Sequence, residues 1–321
     1  MGQFLSNCSI DSLNFAAQAL KDGSLVVFPT ETVYGLGANA TNALAVARIY
    51  EVKGRPADHP LIVHIGDLEH LEQWVAEIPK YAIELAREFW PGPMTLILKR
   101  SELAKDFVTG NQDTVGIRIP DNPLALGLLQ AFHDLGGKGI AAPSANRFGQ
   151  VSPTTAEAVQ EELGNYLAES DLLLDGGSSK VGLESTIIDC TTDAPRVLRP
   201  GAITFEMIEE VIGKIISKEF SVSNIRVSGS LENHYAPKAI VILDQEPFAG
   251  SGFIALESTP TPAGVIRLAS PKSVEEFARV LYESLRDGDR QNLDTIHIEQ
   301  PTGNGLAVAI RDRLERSAKG R

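Results

Sequence analysis

The chain has 321 residues, a net charge of −13 and 43% hydrophobic residues, an ordinary globular composition with room for two domains. Its acidic balance disfavours nucleic acid as a general partner, because phosphate contact would need a local basic patch. Two cysteines, Cys8 and Cys190, exclude a disulfide scaffold and a multi-cysteine zinc site; with no leader pattern and no apolar run of ~18 residues, a cytoplasmic protein without a membrane contact is expected.

Residues 11–20 carry Leu13, Ala16, Ala17 and Leu20 at helical spacing, and residues 25–28 open a sheet. Read as extended chain, the next stretch puts Thr30 and Thr32 on one face and Glu31 on the other. Val33-Tyr34-Gly35-Leu36-Gly37 is expected to turn, with both glycines letting backbone N–H groups approach a ligand. Thr41 or Asn42 caps a helix with an apolar face of Ala43, Val46, Ala47 and Tyr50, ending near Gly54. Lys53 and Arg55 flank that glycine, and Pro56 forbids helix after them. They form a candidate phosphate clamp or, equally, two solvated surface charges.

Residues 61–65 are a second apolar run, and 68–75 and 81–89 read as helices. Residues 94–98 and 114–119 read as strands; Arg118 shares a face with Thr114 and Gly116, either at a solvent-facing edge or in a functional role. After a helix over 122–133, the strand at 139–142 runs into Pro143-Ser144-Ala145-Asn146. Ser144 and Asn146 therefore stand past a strand's carboxyl end, where open α/β sheets place ligands. Thr154 and Glu157 fit a capping box, so Ser152 precedes a helix N-terminus that suits an anion, or is a plain turn serine. A strand at 172–174, a hairpin of 185–190 with 196–199, and a helix at 204–212 complete a first domain over 1–213. Residues 214–238 lack periodicity and form a linker or lid. Strands at 239–243, 253–256, 264–268 and 295–298, with helices at 273–285 and 306–317, make a smaller α/β domain over 239–321.

The chain has neither G-x-x-x-x-G-K-[ST] nor G-x-S-x-G, and no G-x-G-x-x-G follows a strand. His59 and His64 lack carboxylates or cysteines at ligand spacing, so no metal site is expected, and His64 fits a core histidine as well as a ligand-binding one. Hydroxyls, three arginines and a lysine at strand ends remain, a set that holds a polyanion rather than attacking it.

Pro29-Thr30-Glu31-Thr32-Val33-Tyr34-Gly35-Leu36, Lys53-Gly54-Arg55-Pro56, Pro60-Leu61-Ile62-Val63-His64 and Thr114-Val115-Gly116-Ile117-Arg118-Ile119-Pro120 resemble, in order and spacing, the YrdC-type threonylcarbamoyl-adenylate synthase family in its long two-domain form. The resemblance is strong to about Gly201 and weaker beyond. It implies a YrdC-like twisted open mixed sheet with flanking helices, and a smaller Rossmann-like α/β domain. It also implies a nucleotidyltransferase that condenses L-threonine, bicarbonate or CO2, and ATP to threonylcarbamoyl-AMP and pyrophosphate. Thr32, His64, Arg118 and Ser185 would hold threonine, with Arg118 on its carboxylate. Lys53, Arg55, His59, Thr114, Ser144, Asn146, Ser152 and Arg199, with the backbone of Ala142, would take ATP; Lys53 and Arg55 would serve the reacting phosphate and Tyr235 would close over the nucleotide. Mg2+ would arrive with ATP. The product would feed tRNA threonylcarbamoyl-transferase components that complete N6-threonylcarbamoyladenosine, with direct tRNA binding by this chain left open. In the linker, Val227-Ser228-Gly229 stands where the family has Ser-Pro-Gly, and Glu232 and Asn233 where it often has basic residues. Two alternatives share the fold: a carbamoyl-adenylate-forming transferase, usually with zinc-finger and acylphosphatase-like domains, and a non-catalytic double-stranded-RNA binder.

Overall fold

The computed structural model describes residues 2–6, 9–214, 216, 225–229 and 234–319. Cys8, Glu232 and Asn233 lie outside the described residues. In chain order the first unit comprises β1 (Gln3–Leu5), α1 (Ile10–Lys21), β2 (Val26–Phe28), β3 (Gly35–Asn39), α2 (Ala43–Lys53), β4 (Ile62–His64), a 3-10 turn at Leu68–His70, α3 (Leu71–Trp74), α4 (Lys80–Phe89), β5 (Met94–Lys99), α5 (Asp106–Thr109), β6 (Thr114–Arg118), α6 (Pro123–Asp134), β7 (Ile140–Ala141), α7 (Ala156–Leu163), β8 (Leu172–Leu174), β9 (Thr186–Asp189), β10 (Arg196–Arg199) and α8 (Phe205–Ile212). Its strands form one mixed ten-stranded sheet in the order β1-β8-β2-β3-β7-β4-β6-β5-β9-β10. The second unit holds β11 (Ile240–Leu243), β12 (Gly252–Ile254), β13 (Ile266–Ala269), α9 (Val274–Arg290), β14 (Thr295–Ile298) and α10 (Leu306–Ala318). Its four strands are parallel, in the order β11-β14-β12-β13.

Local chemistry accounts for the helix ends. Asn42 accepts from the N–H groups of Leu44 and Ala45 and starts α2, and Gly54, at φ 61°, ends it in the left-handed region. Ser273 starts α9 by accepting from Glu276 N, and Glu276 accepts in return from Lys272 N. The two units share an apolar core in which Val33, Val151 and Leu183 pack with Tyr235, Phe277, Leu281 and Leu314.

Several local expectations are corrected. The turn lies before Gly35, not across it, because Gly35 and Gly37 belong to β3, which pairs antiparallel with β2. Gly37 is there for packing: a Cβ would lie 2.8 Å from both Ile140 and Phe28. In α2 the buried side chains are Ala45, Val46, Ile49, Tyr50, Val52 and Lys53, while Ala43 and Ala47 are exposed. Thr155, not Thr154, caps α7. Arg118 sits on an interior strand, since β6 pairs with both β4 and β5. The short elements β1 and α5 carry too few residues to show a period.

Candidate active site

Eight chain segments converge on one hollow. The connection from β2 to β3 supplies Thr30, Thr32 and Val33; the ends of β4 and β6 supply His64 and Arg118; the segment after β7 supplies Ala142, Pro143 and Ser144. Glu184 and Ser185 enter just before β9, and Arg199 closes β10. Arg55 stands on another wall, and Ser228, Gly229, His234 and Tyr235 of the linker lie across it. The free space inside is about 50 Å3, room for a few waters.

The threonine-side residues form one hydrogen-bonded group. Thr30 Oγ1 and Thr32 Oγ1 are 2.8 Å apart, and Thr30 Oγ1 donates to Val33 O at 2.7 Å, which sets the bend. Arg118 Nη2 donates to Thr32 Oγ1 at 2.9 Å and pairs with Glu31 Oε1 at 2.7 Å. Ser185 Oγ lies 2.7 Å from Thr95 Oγ1 and accepts from Arg199 Nη2 at 3.1 Å. His64 packs edge-on against Phe28; burial, with Arg118 beside it, lowers its pKa to about 3, so its ring is neutral at physiological pH.

The cationic side is tied to the linker. Arg55 Nη2 donates to Pro60 O at 2.9 Å and to Ser228 Oγ at 3.2 Å, while Arg55 Nε has no partner. Arg199 donates to Ser185 O through Nε and Nη2, and to Ser228 O at 2.9 Å through Nη1. Ser228 thus bridges two buried arginines. Burial, and the other cations around them, lower the pKa of both guanidinium groups, Arg55 to about 10. Each remains charged at neutral pH.

Of the residues expected from the sequence, Thr32, Arg55, His64, Arg118, Ala142, Ser144, Ser185, Arg199 and Tyr235 line this hollow. Lys53, His59, Thr114, Asn146 and Ser152 lie beside it. Lys53 is buried at the end of α2, and Nζ donates to Ser144 O at 2.6 Å and to Asn146 O. Arg55 projects into the hollow while Lys53 buttresses its wall from behind, because Gly54 reverses the chain between them. Asn146 donates to the carbonyls of Arg147 and Gln150 and leaves Oδ1 without a partner. His59 stands edge-on to Phe148. Thr114 lines a smaller neighbouring recess that shares Ile62 and Ser228 with the main one. Ser152 donates to Glu184 Oε1 at 2.6 Å.

The sequence reading missed Glu31 as the partner of Arg118 and missed Glu184 on the hollow's wall. Glu184 directly precedes Ser185, so adjacency to an expected ligand residue was the available signal. Glu184 also accepts from Tyr282 OH and Arg313 Nε, both at 2.9 Å. Among the described residues no group of three or more His, Cys, Asp or Glu is arranged to hold a metal ion. No described helix is long and apolar enough to cross a membrane.

Comparison with known proteins places the chain in a family. Residues 18–201 match the Sua5/YciO/YrdC family, described as "Telomere recombination", and residues 203–319 match the threonylcarbamoyl-AMP synthase C-terminal domain. The threonylcarbamoyl-AMP synthase of Pyrococcus abyssi is 42% identical over 325 residues, covering 95% of this chain and 94% of that protein. That of Bacillus subtilis is 42% identical over 327 residues, covering 95% and 92%. The crystal structure of P. abyssi Sua5 complexed with L-threonine superposes with a TM-score of 0.88 at 39% identity, covering 99% of this chain and 98% of that one. With both of its units matched in chain order, this chain belongs to the threonylcarbamoyl-AMP synthase family in its two-domain form.

Proposed function

We propose that this chain is a threonylcarbamoyl-AMP synthase acting as a nucleotidyltransferase on L-threonine, bicarbonate or CO2, and ATP. The observation that carries the reading is the convergence of Arg55, Arg118 and Arg199 with Thr32, Ser144 and Ser185 on one hollow. Such a set neutralises and aligns anions without supplying a nucleophile. The amine of threonine attacks carbon dioxide and loses a proton to solvent, which leaves a carbamate. A carbamate oxygen then attacks the α-phosphorus of ATP, and the bond to the β-phosphate oxygen breaks to release pyrophosphate.

The residues divide the work by charge. Arg118 takes the carboxylate of threonine, with Thr32 fixing the guanidinium beside it. His64, Ser185 and the backbone complete the amino-acid side, where a hydrogen-bonded hydroxyl distinguishes threonine from alanine or valine. Arg55 and Arg199 offset the charge of the phosphates, and Ser144 and Ala142 offer polar groups along the same wall. Lys53 holds the carbonyls of Ser144 and Asn146 and so shapes that wall. Ser228, Gly229 and Tyr235 of the linker lie across the hollow, beside the wall that would face the nucleotide.

Mg2+ belongs to this reading as part of the nucleotide. Glu184, which lines the hollow, is paired with Arg313, and among the described residues no group of three or more acidic, His or Cys side chains could hold the ion, so Mg2+ would be brought by the phosphates and would offset their charge. The product passes to tRNA threonylcarbamoyl-transferase components in the cytoplasm. Incubation with ATP, bicarbonate, Mg2+ and single amino acids, with pyrophosphate as the readout, tests the proposal. Threonine-dependent release supports it; release from ATP with carbamoyl phosphate in place of threonine and bicarbonate, or salt-dependent RNA binding without release, overturns it.

A further inference from the structure

The second unit contains no catalytic constellation of its own in the sequence, yet its two helices reach the wall of the hollow. Both make buried polar contacts with a single carboxylate. Glu184 Oε2 accepts from Tyr282 OH on α9 and from Arg313 Nε on α10, each at 2.9 Å, while Oε1 accepts from Ser152 Oγ at 2.6 Å. Arg313 is fully buried, donates through Nη2 to Pro200 O at 3.0 Å, and lies 5.4 Å above the Tyr235 ring. Tyr282 stacks on the Tyr235 ring, with the two centroids 5.6 Å apart. Ser317 Oγ on α10 donates to Tyr235 O at 2.8 Å. Tyr235 itself holds φ at 62°, a left-handed conformation that surrounding contacts must maintain.

We propose that Glu184 is a positioning residue through which the second domain sets the nucleotide side of the site, with Arg313 and Tyr282 as its fixed partners. This rests on the function proposed above but concerns residues that take no direct part in the chemistry. The same two side chains hold a carboxylate on the wall and a tyrosine across the hollow, so wall and linker are located against one rigid pair of helices. Burial alone would raise the Glu184 carboxyl, but Arg313 and Arg199, with the hydrogen bonds from Ser152 and Arg313, bring its pKa down to about 2. As an anion it accepts only, so the Ser152 hydroxyl proton is committed to it. Ser152 therefore supports the wall through Glu184.

The test uses the full chain and three variants, Glu184→Gln, Tyr282→Phe and Arg313→Met. Two readouts are needed: KM for ATP and for threonine in the pyrophosphate assay, and backbone amide exchange across residues 234–236, where Ala236 N donates to Gly149 O. Loss of one hydrogen bond to a buried charge should raise KM for ATP about tenfold or more, with KM for threonine changed much less. Exchange at 234–236 should quicken in all three variants. Tyr282→Phe removes one oxygen and keeps the ring, so it remains informative if Arg313→Met does not fold. Equal increases in both KM values, or unchanged exchange in Glu184→Gln and Tyr282→Phe, would overturn the proposal. If the wild-type chain released no pyrophosphate, the reaction assignment would fail while the exchange measurement still decided the coupling.

Discussion

Arg118 and Glu31 form an ion pair of 2.7 Å at the hollow's wall, with their side chains 6% and 4% exposed. Arg118 therefore carries its own counter-charge before any substrate arrives. A buried pair of this kind is costly to break from one side, because the remaining charge is left uncompensated. Glu31→Gln should lower stability by about 3 kcal/mol, a magnitude typical of such pairs. Threonine should then raise the melting temperature more in the variant than in the wild type, because its carboxylate supplies the missing charge. A smaller ligand-induced shift in the variant would count against Arg118 as the carboxylate's partner.

Arg55 and Lys53 should separate on substitution. Arg55 projects into the hollow, so Arg55→Ala should reduce kcat/KM for ATP about 100-fold, the scale of losing one preorganised donor. Lys53→Met removes the donor shared by Ser144 O and Asn146 O, so it should also lower stability by about 2 kcal/mol. Thermal melts beside pyrophosphate kinetics distinguish the two. If Lys53→Met melted like the wild type and lost activity, Lys53 would act on the substrate directly.

Acid should destabilise the fold through two buried histidines. Burial, with Arg118 nearby for His64, lowers both His64 and His234 to about 3 from an ordinary value near 6.5. Each is neutral in the folded chain and protonates first in the unfolded one. Their contribution is complete above pH ~6.5 and is lost as pH falls toward 3, at up to roughly 1.4 kcal/mol per pH unit for each group. Denaturant midpoints at pH 7, 6, 5 and 4 should fall steadily, and His64→Asn should flatten the slope. An unchanged slope in that variant would exclude His64 as a source of it.

Gly37→Ala should destabilise without altering the site. The added methyl would lie 2.8 Å from Ile140 and Phe28 and 2.9 Å from Val26 O. Overpacking of this kind costs about 1–3 kcal/mol. The melting temperature should drop while KM for threonine and for ATP stay constant; a raised KM for ATP at unchanged stability would restore the idea of a ligand-contacting glycine.

What the sequence by itself determined was mostly local. Asn42 and Gly54 bracket α2, Ser273 with Glu276 opens α9, and the apolar runs become strands, because caps, turns and hydrophobic periods act between residues a few positions apart. The motif residues Thr32, Arg55, His64 and Arg118 carry the family resemblance in the sequence, the resemblance also implied Ser185, and all five share one hollow. Only the tertiary structure decided what each of them does there. Lys53 and Arg55 are two residues apart and look equivalent in the sequence, yet a left-handed glycine sends one behind the wall and the other into the hollow. Glu184 meets Arg313 across 129 residues and Tyr282 across 98, in a shared core that no local pattern encodes. Buried charges need partners within a few ångströms, and which partner is that near depends on how separate segments pack.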